Sequence, residues 1–415
     1  MHEFGSHALL PVILGGDFGV YGIGRSFNEA FGCRCLCVGN SPTVSITGSG
    51  FFDVHTIRPS ISDEDLVAEL LGIAAAHPDR ELVLMANHDL HSSFVARNAD
   101  VLSASYSLPF PSLEVIESLT DKAAFGRACE AVGIATPGTI EVDFSDYSDS
   151  WSAPEIPFDL PVVAKASRGD AYDAVEFEGK RKIWFIESAE ELSDLWVALG
   201  GAGFRDVFLV QELIPGDNTQ MRSITAYVDT RGEVTLIGSA RVLLEDHAPT
   251  MIGNPVAMIT EEFPELWEGA ERLLTTSGYR GFANFDVKID PRDGRPVFFE
   301  VNPRIGRNNW YMTAAGANPM TVMVADLVEG RAVEQSRMRE EILYSMVPDT
   351  LLLKYLRDDA LRARVKGLIR AGKRFDPLLN PAEKSPKRNL IVRLQKINHH
   401  RKFARYYPEA TDRSF

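Results

Sequence analysis

Two acids and an amide carry the most chemistry in this chain. Asp286 lies in FANFDVKI, an alternating apolar run, and Glu300 and Asn302 lie two apart in PVFFEVNPR, with turn-forming PRDGR between them. Read as an antiparallel hairpin, a period of two puts Glu300 and Asn302 on one face, toward Asp286 on the facing strand. Two carboxylates and an amide oxygen suit a hard cation, Mg²⁺ with Mn²⁺ as its substitute, bound partly through nucleotide phosphates, and not Zn²⁺. The plain alternative is a pair of solvated strand acids bonded to Lys288 or Arg304. Both acids sit in apolar runs where an unpaired charge is costly, which favours the metal site.

The run FANFDVKID followed by FFEVNPRIG resembles the metal-binding hairpin of the ATP-grasp superfamily, and the resemblance spans roughly residues 119 to 330. The continuation NPRIGRNNWYMTAAGANP is similar to the carboxylate–amine ligase branch that includes D-aspartate ligases of peptidoglycan assembly. The resemblance implies an ADP-forming ligase that uses ATP and Mg²⁺ to turn a carboxylate into an acyl phosphate, which an amine then captures as an amide. D-aspartate or another amino acid is the donor it suggests, and a peptidoglycan-precursor amine the acceptor. The rivals are a ligase joining two free small molecules and an ATP-binding module without catalysis. A dead copy has no need of Asp286, Glu300, Asn302, Lys122 and Lys165 together.

Other residues fall into place beside the hairpin. Thr120 and Asp121 cap a helix that carries Lys122, and the apolar strand LPVVAKAS delivers Lys165 to a turn. A lysine ending a buried strand needs an anion, and a phosphate supplies one. In the superfamily the lysine at the position of Lys122 also reaches phosphate. A glycine-rich flap normally follows; here it is ASRGDAYDAV with Gly169 alone, leaving Ser167, Arg168 and backbone amides to serve. The stretch FLVQELI before Pro215-Gly216 resembles the hinge of the ATP site. By that resemblance Gln211, Glu212 and Leu213 meet adenine through backbone, and Asp217 or Asn218 meets ribose; turn chemistry accounts for Asp217 equally well. Arg241, set among small and apolar residues, reads as a cation aimed at the transferring phosphoryl group, with Arg222 a second such cation. Arg304 is assigned to the substrate or γ-phosphate, and Arg307 to substrate specificity, since a bidentate arginine is the natural partner of a carboxylate or acyl phosphate. The loop HAPTMIGNPVAMIT is expected to wall the acceptor pocket.

These residues need an α/β frame, α+β in its central unit. Residues 1–118 read as a Rossmann-like domain, 119–345 as a two-lobed ATP-grasp domain with its lid at about 122–210, and 346–415 as a basic, mainly helical extension. The opening unit reads as strand ALLPVIL, turn GGDFGVYGIG, helix RSFNEAFG and strand CRCLCVG. Its dinucleotide fingerprint breaks at Phe27, which argues against an NAD-dependent oxidoreductase. The turn itself is offered either as a carboxylate site or as plain structure. Cys33, Cys35 and Cys37 share one face as core residues. His88, Asp89 and His91 follow a strand end, where an ordinary solvated loop is favoured over substrate contact.

The net charge of −15 is uneven: Tyr344–Phe415 carries 17 Lys and Arg against 7 Asp and Glu, which opposes general nucleic-acid binding. The basic extension reads as a helical brace, or as a dock for an anionic peptidoglycan precursor or membrane surface. No apolar run is long enough to span a bilayer, and the expected location is cytoplasmic.

Overall fold

The computed structural model describes residues 8–411 apart from 168–170, 173, 182, 249 and 250. The chain has the expected mixed α/β architecture, built on three sheets. Strands β1 (Leu9–Leu14), β2 (Cys35–Gly39), β3 (Phe52–Thr56) and β4 (Glu81–Ala86) form a parallel sheet in the order β3-β2-β1-β4. Every residue of β1 is buried, as a strand covered on both faces requires. Leu9 and Ile13 enter one core with Cys33, Cys35 and Cys37, while Leu10, Val12 and Leu14 enter another. The order reverses between β1 and β4, so a crevice opens at the carboxyl ends of those two strands.

The first helix is longer than its glycines suggest. It runs Phe18–Phe31, seven residues earlier than the expected start at Arg25, and the turn is confined to Gly15–Asp17. Asp17 caps it, its Oδ1 accepting from Gly19 N at 2.9 Å and Val20 N at 3.1 Å. The glycines serve close packing. A Cβ on Gly24 would stand 2.2 Å from the Phe52 ring, and one on Gly22 would stand 2.9 Å from Asn309 Oδ1.

The second sheet is antiparallel: β5 (Thr139–Asp143), β6 (Val162–Ala166), β7 (Trp184–Ile186) and β8 (Val207–Glu212), in the order β5-β8-β6-β7. Helix Ala189–Gly201 packs Leu195, Trp196 and Leu199 on Phe208 and Val210. Lys165 pairs with Leu209 and Val163 with Gln211, so these four face away from that helix.

The third sheet holds β9 (Met221–Val228), β10 (Val234–Asp246), β11 (Asn254–Thr260), β12 (Gly281–Ile289), β13 (Pro296–Asn302), β14 (Ser336–Arg337), β15 (Leu343–Ser345) and β16 (Arg374–Phe375). Its order is β13-β12-β9-β10-β11-β15-β16, with β14 on β10. Half of the expected acceptor loop is therefore strand: NPVAMIT is β11, paired with β10. Alternating apolar residues and a ready partner strand outweigh the loop-like Gly253–Pro255.

The basic extension is mainly helical, with helices Asp349–Tyr355, Asp359–Arg370 and Pro386–Tyr406, but β16 also pairs with β15 and so extends the third sheet. Much of its charge is spent inward. Arg364 meets Glu261 at 3.1 Å and Glu341 at 2.5 Å, Lys396 meets Asp376 at 3.0 Å, and Lys402 pairs with Asp246. Arg388 is wholly buried: its Nε donates to Ser45 O at 3.1 Å and stands 3.6 Å from Glu383. Glu383 accepts from Tyr21 Oη at 3.0 Å, Ser49 Oγ at 2.6 Å and Gly50 N at 2.9 Å. Such an ion pair survives burial because its remaining lone pairs are bonded. Among the described residues, no helix is long and apolar enough to cross a membrane.

Candidate active site

Asp286 stands directly opposite Glu300 in the β12–β13 ladder, and Asn284 opposite Asn302. The register then slips so that Val287 faces Phe298, leaving Phe299 as a bulged residue beside Glu300. Asn302 Nδ2 donates to Asp286 Oδ2 at 3.2 Å, and its Oδ1 accepts from Arg304 Nη2 at 2.9 Å. Burial, then the charge of Glu300, pushes the Asp286 carboxyl up, with Arg304 and the Asn302 bond opposing. Among the described residues no three His, Cys, Asp or Glu side chains form a metal-binding group. The donor set here is instead two carboxylates and an amide, an uncompensated pair of acids that fits a divalent cation.

Lys165 and Lys122 belong to the same locality. Burial and then the charge of Lys122, opposed by Glu300, bring the Lys165 ammonium down to about 8. Lys122 is the first residue of helix Lys122–Ala131, which Asp121 caps through Ala124 N at 2.8 Å, and its Nζ lies 3.5 Å from Ala166 O. A cavity of about 650 Å³ adjoins Lys122 and is also lined by Phe125, Thr139, Gln211 and Phe299. Of the expected flap, Arg168 and Gly169 lie outside the described residues.

The hinge residues sit at the end of β8. Gln211 Nε2 donates to Thr139 Oγ1 at 2.8 Å, and half-buried Leu213 precedes buried Ile214. The Glu212 carboxylate joins the lid sheet to the hairpin turn, meeting Arg292 at 2.5 Å and Arg295 at 3.3 Å, while Arg292 also holds buried Asp290 at 2.6 Å. Asp217 is occupied as a turn residue: its Oδ1 accepts from Thr219 N at 2.9 Å and Thr219 Oγ1 at 2.6 Å.

Arg241 is not brought to the hairpin pair. It pairs with Arg222, and Arg222 pairs with Val287, whereas Asp286 pairs with Ser223. Neighbouring rows of a sheet face opposite sides, so both arginines lie on the face away from Asp286. There Arg222 stacks 4.8 Å from the Phe263 ring, and both donate to Thr219 O at 2.9 Å. Arg241, expected to aim at a phosphoryl group, thus stands one residue of parity away from the face that carries Asp286.

Arg304 and Arg307 reach the crevice between β1 and β4. Arg304 Nε donates to Asp89 at 3.1 Å, and Arg307 Nε donates to Asp17 Oδ2 at 2.6 Å. Asn87 Nδ2 also reaches Asp17 at 3.1 Å. Arg307 lies 4.1 Å over the Phe18 ring and 3.4 Å from Met251 Sδ, so the start of the expected acceptor loop does reach this place. Asp89 stays exposed, as expected, but it opens helix Asp89–Arg97 rather than lying in a loop. Asp17 and Asn87 carried no sequence signal beyond lying at strand ends.

A second pair also escaped the sequence reading. Lys288 follows Asp286 on the same face, and Glu245 ends an apolar run of β10. Burial lowers Lys288 to about 8, opposed by Glu245 and Asp217. Burial and then the charge of Asp286, opposed by Lys288, bring the Glu245 carboxyl up to about 8. Asn218 Nδ2 donates to Glu245 Oε2 at 2.9 Å.

A four-stranded lid sheet bearing Lys165 and a larger sheet bearing the acidic hairpin give the two-lobed plan of an ATP-grasp fold. No family model matches the chain. A biotin carboxylase–beta-gamma-ATP complex from Campylobacter jejuni superposes with a TM-score of 0.55 at 14% identity, covering 79% of this chain and 72% of that one. An L-amino acid ligase from Bacillus licheniformis does so with a TM-score of 0.52 at 16% identity, covering 77% and 74%. In sequence, the D-aspartate ligase of Enterococcus faecium (strain Aus0004) is 28% identical over 415 residues, 98% of this chain and 99% of its own. The chain thus has the fold of these ATP-using enzymes and is similar over its full length to a carboxylate–amine ligase.

Proposed function

We propose that the protein activates the carboxylate of an amino acid, D-aspartate first among the candidates, and joins it to an amine of a peptidoglycan precursor. The full-length likeness to a D-aspartate ligase supports the substrate. The observation that carries the reading is a polar seam in which Asp286, Asn302, Arg304 and Asp89 bond in series. Glu300 stands opposite Asp286 and acts on Lys165 at one end, and a separate Arg307–Asp17 pair lies beside the other. Residues 1–118, 119–345 and 346–415 are taken as the three functional parts, with the seam crossing the first two.

Asp286, Glu300 and Asn302 would hold Mg²⁺, whose charge offsets that of the phosphate oxygens. Lys122 and Lys165 neutralise the phosphates from the lid side, and the backbone of Gln211–Leu213 meets the adenine. A substrate carboxylate oxygen attacks the γ-phosphorus, the bond to ADP breaks, and an acyl phosphate forms. Arg304 faces the charge that develops there. The free amine then attacks the acyl carbon, inorganic phosphate leaves, and the amine loses a proton. Arg307 and Asp17 present a cation and an anion side by side, a match for the unreacted carboxylate and ammonium of a zwitterionic donor. Arg241 receives no catalytic role.

Phosphate release from Mg-ATP, tested against amino acids with hydroxylamine as surrogate amine, checks this reading. Release that depends on D-aspartate and vanishes in Glu300→Ala supports it. Release that needs a different carboxylate replaces the donor, and amide formation between two free amino acids without a precursor replaces the acceptor.

A further inference from the structure

The last helix, Pro386–Tyr406, carries Lys or Arg at seven positions and no acid. Three of those charges are consumed: Arg388 is buried with Glu383, Lys396 bonds Asp376 and Lys402 bonds Asp246. The buried side of the helix is Arg388, Val392 and Phe403. On the opposite side Leu390, Leu394 and Ile397 are 59%, 55% and 60% exposed. Spacings of four and three residues align them in one stripe. At 100° per residue, Lys387 and Arg405 fall along one margin of that stripe, Arg393 along the other and Arg401 within it, and all four are exposed.

Three large aliphatic side chains left in water on one helix face are not explained by the fold. Water-facing positions of a brace need only polar residues. An apolar stripe with cationic margins and no acid is instead the pattern of a helix lying in the plane of a lipid interface. We propose that this face docks the enzyme on an anionic membrane surface. Leu390, Leu394 and Ile397 enter the boundary of the acyl chains, and Lys387, Arg393, Arg401 and Arg405 meet the headgroup phosphates. Charge complementarity selects this partner. With residues 344–415 at about +10, the remainder of the chain is about −25, so an anionic surface repels the body and attracts the basic extension, in which this helix keeps four exposed cations beside its apolar stripe. The docking orients the enzyme and does not enter its chemistry.

Co-flotation of the full chain with phosphatidylglycerol vesicles and with phosphatidylcholine vesicles tests the proposal. Binding to the first and not the second is expected, weakening with salt. Replacing Arg393, Arg401 and Arg405 by Gln should lower affinity by about a hundredfold. Leu390→Ser/Leu394→Ser/Ile397→Ser should abolish binding while ATP-dependent ligation in solution and the thermal midpoint hold, because these side chains support no core. Absence of binding to phosphatidylglycerol overturns the proposal, as does binding that survives the triple serine variant. Sedimentation velocity separates the remaining case: a dimer that the serine variant dissolves would make the stripe a contact between two copies and sink the membrane reading.

Discussion

Asp286 and Glu300 face each other across β12 and β13, with Asn302 and Arg304 beside them to offset part of their charge. The Asp286 carboxyl is raised by its burial and by Glu300, so without metal the folded state holds a proton that the unfolded chain releases. That contribution is present at low pH and is lost as pH rises from the ordinary carboxylate range toward the raised value. Mg²⁺ replaces the proton, so the thermal stabilisation it gives should grow over the same interval. A Mg²⁺ shift that does not change with pH would contradict this.

Asp286→Asn separates function from stability. It should hold or raise metal-free stability, by about 1 kcal/mol, because it removes one of two facing acids. Phosphate release should fall by roughly a hundredfold or more. Denaturant melts and a phosphate assay on the same preparation check both signs.

Lys165 titrates near 8 because its burial and Lys122 lower it. A bound triphosphate would favour the charged ammonium and draw its pKa back up. ATP binding at about pH 8.5 should therefore take up protons. Calorimetry in buffers of different ionisation enthalpy reads this uptake directly, and it should shrink in Lys165→Met.

Arg307 touches Asp17 and Met251 but none of the three hairpin ligands. Arg307→Ala should raise KM for the carboxylate substrate at least about tenfold while leaving KM for ATP nearly unchanged. An equal rise in both would move Arg307 out of the donor site.

Gly24→Ala should destabilise by about 1–3 kcal/mol, since its Cβ would fall 2.2 Å from the Phe52 ring inside the first core. A chemical melt against the parent protein measures it.

These residues also mark how far the sequence could be read. Asp286, Glu300 and Asn302 were legible because a hairpin joins them through one short turn, so local periodicity nearly fixes their geometry. Lys122 and Lys165 were legible because a cap and an apolar strand announce where each stands. The face on which Arg241 lies was not legible because its side of the sheet depends on register with β9 and β12, which no local pattern states. Asp17, Asn87 and Glu245 lay hidden for a related reason: their neighbours are 290, 70 and 27 residues away along the chain. The start of the first helix was masked by Gly19, Gly22 and Gly24, whose absent side chains serve contacts with Asn87, Asn309 and Phe52.

The Glu383–Arg388 pair has a consequence for how the molecule is made. The Tyr21 hydroxyl, Ser45 O, the Ser49 hydroxyl and Gly50 N all bond to residues 383 and 388, more than 330 positions along the chain. A ribosome releases the first sheet long before those partners emerge, so during synthesis the flank of Tyr21 stays wet and unfinished. Translation that stops short of residue 383 should leave the opening sheet with that flank exposed to proteolysis, and the final thirty or so residues act as the closing stitch of the fold.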